Sequence, residues 1–209
     1  MKYNYYWRKS GLKKPYGDNF LSLVNEFNPK NVLEIGVFCG VTAKNVCELL
    51  NIIHSGNFKY VGIDLFGNKA NEDEKVPNYL KKQSFSNPIK NLFYNIILRE
   101  NLNSYESVQK FLKKFSKNIT LIKGNSNKIL QHLDMENIDF AFLDGGHSFE
   151  TVFNDLNLLF DKISLNKNAI ILCDDYEDAD YITGVKKAVD KFVKEKKLKF
   201  EVIEKRFAK

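Results

Sequence analysis

NVLEIGVFCG, residues 31–40, indicates the fold class of this chain. The mostly apolar residues 31–35 predict a buried strand, residues 36–40 predict a turn bounded by glycines, and apolar positions in 41–53 recur at helical spacing. KYVGID, residues 59–64, predicts a second strand. A strand, a helix and a strand in this order are typical of the βα units that build a mostly parallel sheet.

The same alternation continues along the rest of the chain. Amphipathic helices are predicted after Ser148, a residue suited to an N-cap, and over 185–193. We therefore expect an α/β protein with helices on both faces of the sheet, because its strands are apolar enough to be covered on both sides. The further strands are expected at 119–124, 138–144, 168–175 and 198–204.

Length and composition fit one domain, since 209 residues are close to the roughly 150 that are typical of a domain. Three cysteines without a C-x-x-C pair indicate neither a disulfide framework nor a zinc site, so a reducing, cytoplasmic location is expected. The absence of a secretion signal and of a run of about 18 apolar residues predicts a soluble protein with no membrane partner. Only three of the 32 basic residues are arginine, so the net charge of +6 indicates a lysine-rich surface and makes nucleic acid an unlikely partner.

Two segments lie outside the regular pattern. Residues 1–30 are expected to form an aromatic arm and a helix ahead of a domain over 31–209, and the arm could wall an acceptor pocket or contact a second copy of the chain. Residues 65–118 are much longer than a usual crossover, so we expect an insertion with a loop and two helices, either a lid or plain surface. In this insertion, Asn103 and Glu106 resemble a capping box.

Acidic residues end the predicted strands. Glu34, Asp64, Asp144 and the neighbouring pair Asp174 and Asp175 all stand at such ends. Because ligands bind outside the carboxyl ends of parallel strands, we expect these carboxylates to line a binding site. Any one of them alone could instead cap the next helix.

The turn at 36–40 narrows the class of ligand. A dinucleotide fingerprint has a glycine where this chain has Phe38, so this side chain argues against a bound pyrophosphate. Asp64 is placed to accept hydrogen bonds from both hydroxyls of a ribose. The sequence therefore predicts a ligand that has a ribose and no phosphates.

Six short motifs resemble those of a known enzyme family: residues 34–40, 62–64, 124–126, 143–148, 173–176 and 184–186. They are similar to the motifs of class I S-adenosylmethionine (SAM)-dependent methyltransferases. Within that class, the chain is most similar to the methyltransferase-24-like branch of macrocin-type and aminocoumarin sugar O-methyltransferases. The resemblance implies a Rossmann-like sheet, which normally finishes with an antiparallel strand pair. The final residues RFAK are expected to be too short for a full last strand, so that the sheet edge could be incomplete or completed by a partner.

The resemblance also implies roles for individual residues. Glu34 would lie near the methionine amino group of SAM, and Asp64 would bind the ribose. Gly36 and Gly40 would pack against the cofactor. The other cofactor-binding residues implied are Asn125 and Ser126, near the adenine, and Asp144.

A metal ion is implied as well, because acids matching Asp144, Asp174 and Asp175 hold Mg²⁺ in sugar O-methyltransferases of this branch. Some relatives carry an acid, proposed as the general base, where this chain has Gly146. His147 is the remaining candidate base, alongside Asp144 as a catalytic residue, since a neutral imidazole accepts a hydroxyl proton near neutral pH. Equally, His147 could orient the turn or cap the following helix.

We therefore expect a SAM-dependent O-methyltransferase that acts on a small hydroxylated acceptor, such as a sugar or glycoside, with divalent-cation assistance. Three alternatives stay open. They are a non-catalytic SAM-binding or interaction protein, a related hydroxylase-associated pathway enzyme, and a nucleic-acid methyltransferase. The sequence leaves a homo-oligomer undecided.

Overall fold

The computed structural model describes residues 1–67, 83–134, 137–163, 169–177 and 184–209. Its strands are β1 (Asn31–Ile35), β2 (Lys59–Asp64), β3 (Ile119–Lys123), β4 (Phe140–Leu143), β5 (Ile170–Cys173), β6 (Val202–Ile203) and β7 (Phe207–Ala208). Its α-helices are α1 (Tyr16–Phe27), α2 (Val41–Ile53), α3 (Pro88–Asn91), α4 (Tyr105–Phe111), α5 (Ser126–His132), α6 (Phe149–Ile163) and α7 (Val185–Lys196). A π-helical turn spans Leu92–Ile97, and a 3-10 turn spans Lys113–Phe115. In these ranges, no helix combines the length and apolar character needed to cross a membrane.

The strands of the described residues form one sheet in the order β3-β2-β1-β4-β5-β7-β6. Strands β1 to β5 run parallel, and β7 pairs antiparallel with β5 and β6. The order reverses between β1 and β4, because the chain first moves outward to β3 and then returns to the other side of β1. This is the Rossmann-like α/β arrangement expected from the sequence, and it places the carboxyl ends of β1 and β4 side by side.

Each face of the sheet packs against its own hydrophobic core. Successive residues of β1 point to opposite faces, so that Val32 belongs to one core and Leu33 to the other. On the first face, the ring of Phe20 in α1 lies 4.5 Å from that of Phe142 in β4. On the second face, Leu156 of α6 lies in the same core as Leu33. Burial on both sides explains why these strands are apolar runs.

The C-terminal strands correct the sequence expectation. The strand predicted over 198–204 is limited to Val202–Ile203, whereas the chain end, which was expected to be too short for a full last strand, forms the two-residue strand β7. Ala208 pairs with Cys173 of β5, and Phe207 is fully buried. The few hydrogen bonds of a two-residue strand stabilise it only weakly. Burial of the Phe207 ring supplies further stabilisation and keeps β7 in the sheet.

The insertion also differs in detail from its prediction. Ser104, rather than Asn103, caps α4, because the Ser104 Oγ accepts a hydrogen bond of 3.2 Å from the Ser107 N–H. Most of the predicted loop, residues 68–82, lies outside the described residues. The apolar residues of α3 and the π-helical turn include four that are exposed: Ile89, Leu92, Ile96 and Ile97.

Candidate active site

Glu34, near the carboxyl end of β1, is almost completely buried, with 2% of its surface exposed. Its Oε2 accepts a hydrogen bond from the Tyr60 hydroxyl of β2, whereas Oε1 has no hydrogen-bond partner among the described residues. Burial, together with the nearby charge of Asp64, raises the pKa of Glu34 well above its usual range. A buried acceptor without a donor is costly, so Oε1 points to a ligand that carries a donor.

The turn after β1 is held by Asp64 at the end of β2. Asp64 Oδ2 accepts a hydrogen bond of 2.7 Å from the Phe38 N–H, and Oδ1 accepts one of 2.6 Å from the Phe66 N–H. Burial raises the pKa of Asp64, although these N–H groups oppose the shift. Phe38 has a φ of 49°, in the left-handed region, and its bond to Asp64 stabilises that conformation. Asp64 therefore organises the turn, a role that the sequence analysis did not predict.

Gly36 and Gly40 allow neighbouring backbone and side chains to approach this turn. Their φ angles are 94° and 75°. A Cβ at Gly36 would lie 2.0 Å from the Asp144 carbonyl oxygen, and a Cβ at Gly40 would lie 3.0 Å from the Val108 side chain of α4. Both glycines thus have a packing reason to be present that is independent of any ligand.

Three carboxylates converge at the carboxyl ends of β4 and β5. Asp144 follows β4, Asp174 and Asp175 follow β5, and one oxygen of each lies within 4.8 Å of the others. They meet because Leu143 and Cys173, the last residues of the two strands, are paired. Burial raises the pKa of Asp144 well above its usual range, and the charges of Asp174 and Asp175 add to the shift. The cluster offers the all-oxygen ligands that a hard cation prefers.

Arg206, which the sequence analysis did not identify, lies in this acidic cluster. Its Nε and Nη2 donate hydrogen bonds of 2.6 Å to Oδ1 and Oδ2 of Asp174, and Nη2 lies 3.3 Å from Asp175 Oδ1. Burial raises the pKa of Asp174 to about 6, although the hydrogen bonds from Arg206 oppose the shift. The guanidinium therefore supplies one positive charge to a site with three carboxyl groups.

His147, in the turn between β4 and α6, borders the same cluster. Its Nε2 lies 3.7 Å from Asp175 Oδ2. The start of α6 is capped by Ser148, whose Oγ accepts a hydrogen bond of 3.2 Å from the Thr151 N–H. Of the three roles considered for His147, which are general base, orientation of the turn and capping of the helix, the last is filled by Ser148.

Asn125 and Ser126 stand at the start of α5, beyond the carboxyl end of β3. The Ser126 hydroxyl donates a hydrogen bond of 2.9 Å to Asp155 in α6, and the Asn127 amide donates one of 2.6 Å to the same carboxylate. These bonds join α5 to α6. Asp155 is buried, and the sequence analysis missed it because a single acid within an amphipathic helix has no local signature.

The N-terminal arm lies across the edge of the sheet where these carboxylates meet. The Tyr3 hydroxyl is 2.8 Å from the Thr42 Oγ1 of α2. Burial raises the pKa of Tyr3, and the charges of Glu34 and Asp144 add to the shift. A Cβ at Gly11 would lie 3.4 Å from Asp144 Oδ2. The arm is thus part of the surroundings of the site.

A small recess, partly open to solvent, lies beside the acidic cluster. It is lined by the three carboxylates, by Asp155, by His147 and by apolar residues of β1, β4, β5, α6 and α7. The recess combines apolar walls with a few polar groups, which is the composition typical of small-molecule sites.

Comparison with known families identifies this arrangement. A family model described as "Methyltransferase domain" matches residues 33–176, more than half of the chain. The matched range includes the buried Glu34, the glycine turn, Asp64 and the acidic cluster. Arg206 and the N-terminal arm lie outside it.

Individual relatives are distant or cover part of the chain. An uncharacterized protein of Acanthamoeba polyphaga mimivirus is 40% identical over 72 residues, which are 32% of each chain, so the match spans about a third of that relative. The SAM complex of the O-methyltransferase TomG from Streptomyces achromogenes, involved in tomaymycin synthesis, is similar in fold. It has a TM-score of 0.56 and 15% identity, over 94% of this chain and 78% of TomG.

A second solved structure, the apo form of CalS11, is described as a TDP-rhamnose 3'-O-methyltransferase of calicheamicin biosynthesis. Its TM-score is 0.58 and its identity 16%, over 94% of this chain and 80% of CalS11. These likenesses agree with the parallel sheet and its reversed strand order. By its family match, the chain belongs to the methyltransferase-domain family, and it shares its Rossmann-like fold with these solved structures.

Proposed function

We propose that this methyltransferase transfers the methyl group of SAM to a hydroxyl oxygen of a small acceptor of the sugar or glycoside class. The main support is the convergence of three carboxylates and His147 around one recess. Acids that can hold a cation and an imidazole that can accept a proton suit a hydroxyl acceptor. The similarity in fold to CalS11, which methylates a rhamnose, supports the same class.

The described residues fit SAM at the carboxyl ends of β1 and β2. Glu34 Oε1, buried and without a partner in the described residues, is suited to the amino group of the methionine moiety. Asp64 accepts hydrogen bonds from the Phe38, Phe66 and Val37 N–H groups, and the remaining acceptor capacity of its carboxylate is suited to the ribose. The start of α5, with Asn125 and Ser126, is assigned to the adenine. SAM supplies an electrophilic methyl group on its sulfonium.

A divalent cation would be held by Asp144, Asp174 and Asp175. The donor set fits, because three carboxylate oxygens within 4.8 Å of one another match the oxygen ligands of Mg²⁺. When bound, the cation supplies Lewis-acid polarisation of the acceptor hydroxyl. Arg206 contacts two of the same carboxylates, so it has a direct influence on this site.

His147 is assigned the removal of the acceptor proton, with Asp175 orienting its imidazole. His147→Gln is expected to lower kcat by about 100-fold near neutral pH, because a positioned general base typically contributes about that factor or more. Steady-state kinetics with a sugar acceptor measure the effect, and the Kd for SAM should stay unchanged. His54→Gln is the matched control, since His54 contacts the Pro29 carbonyl away from the cluster. Equal kcat values for His147→Gln and the wild type would refute the role.

SAM is expected to stabilise the protein by about 2.7 kcal/mol at about 100 times its Kd, which is a rise in Tm of roughly 5 to 10 °C for a chain of this size. NAD, which carries a pyrophosphate, should give no shift. A thermal-shift titration with both ligands measures this. A shift with NAD alone would contradict the assignment of the ligand, and product analysis with sugar acceptors then tests the methyl transfer itself.

Glu34→Gln is expected to weaken SAM binding by about 10- to 100-fold, because a hydrogen bond to a charged group contributes roughly 1.5–3 kcal/mol. The raised pKa of Glu34 sets the sign of the pH dependence. Glu34 must ionise to pair with the ammonium group, so SAM affinity should increase as pH rises through that pKa. Calorimetry across pH measures both effects, and the variant should lose this pH dependence. An equal Kd for the variant and the wild type would overturn the pairing.

A further inference from the structure

The guanidinium of Arg206 takes up both oxygens of Asp174. Its Nε and Nη2 each donate a bond of 2.6 Å in a bidentate arrangement, and Nη2 also lies 3.3 Å from Asp175. The Asp174 side chain is 1% exposed, so water does not compete for these bonds. Charge-assisted bidentate pairs of this kind are among the stronger polar interactions in proteins.

This pairing places two cations in competition. A divalent cation bound to Asp144, Asp174 and Asp175 would share two carboxylates with the guanidinium. The two positive groups would then be close neighbours, and they would repel each other strongly because little water screens their charges. Full coordination by the three acids therefore requires the Arg206 side chain to leave. Release would return to the cluster the two Asp174 oxygens that the guanidinium now holds.

The backbone allows such a movement without loss of the sheet. The Arg206 carbonyl accepts a hydrogen bond of 2.8 Å from the Tyr176 N–H, and its N–H donates one of 3.1 Å to the Ile203 carbonyl. These bonds fix the main chain beside β7. The Arg206 side chain is 20% exposed, so a change of rotamer can carry its charged end toward solvent.

We propose that Arg206 is an internal competitor of the divalent cation, which neutralises the acidic cluster in the metal-free protein and is displaced when the cation binds. Arg206 then sets the cation affinity of the site. The inference rests on the cation site of the proposed function. Arg206 lies outside the range that the family model matches, and the role proposed for it is separate from the binding of SAM.

Calorimetric titration of the SAM-bound protein with Mg²⁺ tests the proposal. Arg206→Gln, which removes the charge, is expected to bind Mg²⁺ at least about tenfold more tightly than the wild type, and Arg206→Lys, which lacks the fork, should lie between them. Lys205→Gln is the matched control, since it removes one positive charge from an exposed neighbour and should leave the affinity unchanged. Equal affinity in Arg206→Gln and the wild type overturns the proposal.

A measurement on the wild type covers the case in which Arg206→Gln does not fold. The chain has three arginines, so its side-chain Nε–H NMR signals are few enough to assign. Mg²⁺ is expected to shift the Arg206 signal and to speed its exchange with water, while the Arg99 signal stays constant. Mg²⁺ binding that leaves the Arg206 signal in place refutes the displacement. Absence of Mg²⁺ binding in the wild type and in every variant refutes the cation site itself. The SAM-dependent rise in Tm tests the binding of SAM independently of this result.

Discussion

Gly36→Ala is expected to destabilise the protein by about 4 kcal/mol or more and to abolish SAM binding, because the added methyl group has no space. Its Cβ would lie 2.0 Å from the carbonyl oxygen of Asp144 and 2.7 Å from the Gly145 Cα. Both contacts are to backbone, so no side-chain rotation relieves them. The loop after β4, which carries Asp144, would have to move away from the turn after β1.

The φ of Gly36, 94°, adds conformational strain that must be separated from this overlap. Gly67→Ala provides the control, because Gly67 has a φ of 84° and a Cβ there would meet no described atom within 4 Å. Strain alone should make this variant roughly 1–2 kcal/mol less stable. Urea unfolding gives the two free energies. Similar losses in both variants would show that the close approach of the two loops is not important.

Arg8→Met is expected to lower the free energy of unfolding by about 3 kcal/mol. Arg8 is 8% exposed, and it donates hydrogen bonds to the Cys39 carbonyl at 3.0 Å, the Leu102 carbonyl at 2.9 Å and the Ser107 hydroxyl at 2.8 Å. Methionine fills a similar volume but leaves these buried acceptors without a donor. Each unsatisfied acceptor costs roughly 1–3 kcal/mol, and hydrogen bonds to water that enters offset part of this cost. The arm would then lose its three Arg8 hydrogen bonds to the glycine turn, to Leu102 and to α4.

Arg99→Met is the matched control, since the same exchange at an exposed arginine should cost less than about 0.5 kcal/mol. Hydrogen exchange reports on the arm directly, and amides of residues 3–12 should lose protection in Arg8→Met while those of β1 keep it. Unchanged protection of the arm would mean that Arg8 does not hold it in place.

Local patterns in the sequence were sufficient to predict the repeating architecture. The bounds of β1, α2 and β2 follow from apolar spacing and from glycines at turns, because such signals lie within a few residues of one another. The position of the acids was also predictable, since a residue at the end of a parallel strand faces the ligand-binding edge whatever the rest of the chain does. The Ser148 cap belongs to the same class of short-range signal.

Short strands and caps were harder to predict. Phe207–Ala208 forms β7 because the Phe207 ring is buried in the core, and this gain depends on residues far along the chain. Ser104, and not Asn103, caps α4. Several polar residues follow one another here, and the local sequence does not indicate which of them is the cap. Short strands and caps of this kind depend on packing against residues that are distant in sequence. A local sequence pattern carries no information about that packing.

The sequence by itself determined the βα alternation, the class of fold and the carboxylates that stand at the ends of its strands. The tertiary structure alone decided which charges meet there. Arg206 is 32 residues away from Asp174 along the chain, and the antiparallel return of β7 brings the two together. Arg8 and Gly11 reach the same edge because the arm crosses it. Side-chain contacts between distant segments depend on packing in three dimensions, whereas strand ends and turns are specified by residues that are neighbours in sequence.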